Sequence, residues 1–118
     1  MPRNAEFGRT GEGLAADWLK RQGFFILRRN WRQGRYEVDI IAGRAGVLHF
    51  IEVKSRRSSE YGHPEQSVDR KKLQHIMRGA VGWLYRWPVY RRVQYDVLSI
   101  TLDADRNPEY MLFEDVYE

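Results

Sequence analysis

Apolar residues recur at helical spacing near the start of the chain. Phe7, Gly11, Leu14, Ala15 and Trp18 fall on one stripe and Gly23 supplies a stop, which predicts a helix over 5–22. The period then changes. FFILRRNW (24–31) reads as a strand followed by a turn at Gln33-Gly34, and YEVDIIA (36–42) and VLHFIEVKS (47–55) read as two further strands. Gly43-Arg44-Ala45-Gly46 is rich in turn formers, so these two strands are expected to pair as a hairpin. RRSSEYGH predicts a loop. Pro64 suits the first turn of a second helix, where its missing N–H is an unpaired group anyway. Val68, Leu73, Ile76, Met77, Ala80, Val81 and Leu84 form the apolar stripe of that helix, and Pro88 ends it. RVQYDVLSI (92–100) predicts a fourth strand and EYMLFED (109–115) a fifth. The order α-β-β-β-α-β, with that further strand, predicts a mixed sheet flanked by helices.

The hairpin carries the first chemical signal. Side chains alternate along a strand, so Phe50, Glu52 and Lys54 share one face while Ile51 and Val53 take the other. With Gly43 to Gly46 as the loop, Ala42 opposes Val47, Asp39 opposes Phe50 and Glu37 opposes Glu52. Glu37, Asp39, Glu52 and Lys54 then lie on one face, with Asp39 and Glu52 as diagonal neighbours about 7–8 Å apart. A register change of two keeps this arrangement and a change of one destroys it. Carboxylates facing each other across a sheet are destabilising unless something offsets them. Lys54 can offset one. A divalent cation with oxygen ligands, Mg²⁺ or Mn²⁺, could offset the rest, polarise a phosphodiester and acidify a water. Lys54 would then orient that water or stabilise charge on the phosphorane. The plainer alternative is a solvated sheet face, on which a Glu–Lys pair contributes ~0–1 kcal/mol.

Composition bears on that choice. A chain of 118 residues without repeats, low-complexity tracts or linkers is expected to form one domain, 1–118. The absence of cysteine excludes disulfides and thiolate metal sites and suits a reducing compartment. No apolar run approaches the ~20 residues of a membrane span, and MPRNAEFGRTGEG lacks the apolar core of a signal peptide. A soluble, cytoplasmic protein is expected. The net charge of +4 is uneven: residues 103–118 hold six acids and one Arg, leaving +9 on residues 1–102. Of 20 basic residues 16 are Arg, whose planar fork of donors suits phosphate, so a polyanionic partner is favoured. His49, His63 and His75 are too scattered to suggest a zinc site, and His49 falls on the face opposite Glu52, which argues for packing. Trp83, Tyr85, Trp87 and Tyr90 suit core or dimer contacts better than base stacking.

GRTGEGLAADWL, GRYEVDIIA, HFIEVKSRR and SVDRKKL, in that order and spacing, resemble the YraN-like family of small bacterial proteins. That family is placed in the PD-(D/E)XK nuclease superfamily and is related in fold to archaeal Holliday junction resolvases. The resemblance covers about residues 6 to 100. It implies a restriction-endonuclease-like α/β fold in which Asp39 is the metal-binding Asp, Glu52 and Lys54 form the E-x-K pair, and Glu12 is the acid of the first helix. Glu12, Asp39 and Glu52 would hold Mg²⁺ or Mn²⁺, with Glu37 as an accessory acid. GRYEVD departs from the family's G-x-E-x-D-like segment by an extra residue between Gly34 and Glu37. Lys72 matches a helix Lys, and Arg56, Arg57, Lys71 and Lys72 would contact backbone phosphates. Asp96 matches a family strand position and reads as structural. The implied activity is endonucleolytic hydrolysis of DNA, branched or junction DNA included, by a chain for which a homodimer is plausible. Because a fold does not fix an activity, the competing reading is a non-catalytic nucleic-acid-binding module. A third is a protein-interaction domain that uses the aromatic helix end.

Overall fold

The structure is a computed structural model of the chain and describes residues 3–57, 70–87, 92–103 and 105–116. Helix α1 (Arg3–Arg21) is followed by strands β1 (Phe25–Gln33), β2 (Tyr36–Arg44) and β3 (Val47–Arg56). Helix α2 (Arg70–Arg86) leads to β4 (Arg92–Thr101) and β5 (Glu109–Phe113). The five strands lie in chain order in one sheet, and all neighbours are antiparallel except β3 and β4. A parallel pair needs a crossover, and α2 supplies it. This is the α/β order expected from the sequence, with the fifth strand present. Pro64, Val68 and Pro88 lie outside the described residues. No helix among the described residues is long and apolar enough to cross a membrane.

The two helices take opposite faces. Ala15, Ala16 and Leu19 of α1 pack with Ile40, Ala42, Ile51, Leu98 and Ile100. Ile76, Ala80 and Trp83 of α2 pack with Trp31, Val38, Ile41, Leu48 and Phe50. Helix α1 stops at Gly23, whose φ of +92° a residue without a Cβ adopts freely. The Phe24 N–H donates to Leu19 O and the Gly23 N–H to Lys20 O, each at 3.0 Å, which satisfies the last carbonyls and turns Phe24 into the core. The small residues of α2 set its approach: a Cβ on Gly79 would meet Val38 Cγ2 at 3.1 Å.

Both hairpin turns differ from those their sequences predict, the first in position and the second in length. β1 and β2 pair up to Gln33–Tyr36, so the turn is Gly34-Arg35, one residue later than expected. Arg44 pairs with Val47, so the β2–β3 loop is Ala45-Gly46 rather than four residues, with φ of +52° and +78°. Two left-handed residues match the right-handed twist of the flanking strands. The register therefore moves by two from the expected pairing: Ile41 faces Phe50 and Ile40 faces Ile51. An even shift does not by itself carry a side chain to the other face.

One irregularity matters for chemistry. Val38 joins the α2 cluster and Ile40 the α1 cluster, whereas a regular strand sends residues i and i+2 to the same side. The break falls at Asp39. Its neighbour on β1 is Asn30, which has a φ of +54°.

Candidate active site: a carboxylate cluster between β2, β3 and α2

The β2–β3 ladder ends at Ile40–Ile51, so Asp39 and Glu52 are the next residues on each strand. They stand in line rather than diagonally, as the shifted register requires. Beyond that point the Asp39 carboxylate takes over for the main chain: the Val53 N–H donates to Asp39 Oδ2 at 2.9 Å. A side chain thus satisfies a backbone donor that the diverging strand would leave unpaired.

Asp39, Glu52 and Glu37 line a cavity of about 230 Å³, closed by Arg35 and by Lys72, His75 and Ile76 of α2. Burial pushes the Asp39 carboxyl up from 3.8 to about 7. The Val53 hydrogen bond works against that rise, and the charges of Glu12, Glu52 and Glu37 add to it. Glu12 comes from α1 and acts on Asp39 through its charge, but it does not line the cavity.

Glu52 is half-buried, with a side chain 16% exposed. Its Oε1 accepts from Lys54 Nζ and from Lys72 Nζ, each at 3.2 Å. Its Oε2 is buried with no hydrogen-bond partner among the described residues. Leaving such an atom unpaired costs ~1–3 kcal/mol, more when charged. Two ammonium groups crowd one oxygen while its twin is left bare beside a second carboxyl. A hard cation taking Glu52 Oε2 and Asp39 would remove both costs, so the residues present fit a divalent ion.

The remaining expected site residues are placed as follows. Glu37 lines the cavity and pairs with Arg32 of β1 at 3.3 Å, a half-exposed bridge. Lys72 turns inward onto Glu52 instead of lying on a solvated helix face. Lys71 is exposed, Arg57 is exposed just past β3, and half-buried Arg56 ends that strand; none of the three lines the cavity. Sequence reasoning missed His75, Arg35 and Tyr36. His75 is one turn from Lys72 and so shares its face. Its ring stands edge-on to Tyr36 at 5.1 Å. The phenol accepts from Arg35 at 3.4 Å and Arg78 at 2.9 Å, and these bonds, Arg35 first, lower its pKa from 10.0.

A second group of donors lies across the sheet. His49, Asp96 and Glu114 each bring one ligand atom within 4.8 Å of the others, a spacing that could hold a metal. In the structure these atoms have other partners. His49 Nδ1 donates to Asp96 Oδ2 at 2.6 Å, and the Asp115 N–H and Gln94 Nε2 donate to Asp96 Oδ1 at 2.8 and 3.1 Å. Arg44 and Gln94 hold Glu114 Oε1 at 3.1 and 3.3 Å. The group ties residues 114 and 115 to the sheet, in keeping with the packing role expected for His49 and Asp96. Trp83 is core, as expected for the aromatic run, whereas Tyr85 is 87% exposed. His63 and Tyr90 lie outside the described residues.

A family model described as "Uncharacterised protein family UPF0102" matches residues 11–100. A UPF0102 protein of Chlorobaculum parvum is 45% identical over 107 residues, 87% of this chain and 83% of its own. One from Dictyoglomus thermophilum is 40% identical over 100 residues, covering 84% and 85%. One from Chloroherpeton thalassium is 36% identical over 122 residues, covering 99% and 92%.

Proposed function

The chain belongs to the uncharacterised protein family UPF0102, and we propose that it is a metal-dependent endonuclease that hydrolyses DNA phosphodiester bonds. The observation that carries this reading is the bare, buried Oε2 of Glu52 beside an Asp39 carboxyl raised to about 7. A structural ion pair has no need of either. Glu12, Asp39 and Glu52 would hold Mg²⁺ or Mn²⁺, with Glu37 as an accessory acid; the ion supplies Lewis acidity toward a phosphate oxygen and toward water. Asp39 gives up its proton when it becomes a ligand. Lys54, whose Nζ lies 3.2 Å from Glu52, would orient the attacking water and offset charge on the phosphorane. In the reaction the water would lose one proton to solvent as its oxygen bonds to phosphorus, the bond to the leaving oxygen would break, and that oxygen would take up a proton from solvent. Arg56, Arg57 and Lys71 would hold flanking phosphates, and Lys72 would exchange Glu52 for one.

A second reading has its own support. Lys54 and Lys72 together neutralise Glu52, which suits a non-catalytic nucleic-acid-binding module as well. Incubation with branched, flapped and duplex DNA in Mg²⁺ or Mn²⁺ separates the two. The nuclease reading expects cleavage that Glu52→Ala abolishes and Lys54→Ala slows by at least about 100-fold. Binding without cleavage across the panel would replace it with the second.

A further inference from the structure

Beside the carboxylate cavity lies a larger groove of about 740 Å³, between the β1–β2 turn and the outer face of α2. Gln33, Tyr36, Arg78, Val81, Tyr85 and Arg86 line it. The volume is in the range of clefts that enclose small ligands. Its walls combine two chemistries. Tyr85 is 87% and Val81 63% exposed, one turn apart on α2, so they present adjacent apolar surface. Arg78 and Arg86 are the charged groups of the lining, and it contains no acid.

The groove and the carboxylate cavity share a wall. Tyr36 lines the groove while its ring meets His75, which lines the cavity. Arg35 lies with its guanidinium 5.3 Å from the Tyr36 ring and also lines the cavity. A site that favours a cation thus adjoins one that favours an anion bearing flat apolar groups. A nucleic-acid strand has that character, with phosphates for arginine and base faces for tyrosine. Within a duplex the base faces are covered by their neighbours, so a groove of this kind is useful only to unpaired bases.

We propose that this groove receives the unpaired strand of a nucleic-acid substrate next to the scissile phosphate, so that the substrate class is single-stranded or flapped rather than fully paired DNA. The proposal rests on the nuclease reading for its scissile bond, though not for the binding itself. Tyr85 would stack a base, and Arg78 and Arg86 would hold the phosphates on either side.

The test is fluorescence anisotropy in EDTA with a labelled oligothymidylate and a labelled duplex, on the wild type and on Tyr85→Ala, Arg78→Ala and Tyr85→Phe. The expected result is oligothymidylate binding weakened about tenfold by either alanine, with Tyr85→Phe and all duplex affinities within about twofold of wild type. Exposed Tyr85 leaves folding untouched, and thermal melts check this. Wild-type protein that fails to bind oligothymidylate overturns the proposal. So do alanine variants that bind it unchanged, or that lose both ligands equally. Dimer dissociation on Tyr85→Ala with unchanged DNA affinity, read by sedimentation, would make the groove an interface between copies and overturn it too. Any of these with metal-dependent cleavage intact leaves the nuclease reading standing. Groove-dependent binding with no cleavage removes that reading alone.

Discussion

Asp39 is where the physical costs concentrate. Folding places its carboxyl among three other acids and out of water, which holds its proton until about pH 7 instead of 3.8. The sign for stability follows. Between those values the folded chain binds the proton and the unfolded chain does not, so stability falls as pH rises from about 4 to 7 and then levels off. Asp39→Asn keeps an oxygen for the Val53 N–H and removes the charge. It is therefore expected to be more stable than wild type at pH 8 by about 1–3 kcal/mol, with the gain vanishing toward pH 4. Urea unfolding at several pH values measures this, and a constant difference would contradict the account. Sequence pattern alone placed Asp39, Glu52 and Lys54 on one face, because alternation along a strand is local and survives any even register shift. It could not find the bare Oε2 or the raised carboxyl, which depend on how deep α2 packs.

At the scale of elements, the two-residue β2–β3 turn was hidden because Ala45 takes a left-handed φ that its side chain does not favour. Gly43 and Arg44, which read as loop, extend the strand instead. The face change at Asp39 was equally illegible, since nothing in VDI marks a break. Helix α1 was legible from its stripe, and its close approach to β3 explains a residue in that stripe. A Cβ on Gly11 would overlap Ser55 Oγ and come within 3.0 Å of Ser55 Cβ. Gly11→Ala should thus destabilise by about 1–3 kcal/mol through overpacking, despite alanine's better helix propensity. Adding Ser55→Gly should recover most of that loss. A double-mutant cycle by thermal unfolding reads the coupling, expected to exceed about 1 kcal/mol. Additive effects would mean that the helix and strand do not press together there. The contact bears on chemistry because Glu12 follows Gly11 directly.

Over the whole molecule, the charge is uneven. The basic excess of +9 on residues 1–102 is followed by a C-terminal stretch of −5, part of which the Arg44–Glu114 bridge, at 3.1 Å, ties to the sheet. If Arg57 and Lys71 hold phosphates, replacing either with Ala should reduce the slope of log affinity against log salt by about one. Anisotropy titrations at several salt concentrations measure it, and an unchanged slope would remove that residue from the interface. The central claim, however, concerns the cation, and binding of Mn²⁺ by the intact chain tests it most directly. Calorimetric titration at pH 6 in buffers of different ionisation enthalpy should show uptake with release of close to one proton, the one that Asp39 holds at that pH. Asp39→Asn should abolish the release and weaken the uptake. Failure of the wild type to bind Mn²⁺, or binding that Asp39→Asn leaves untouched, would contradict the account.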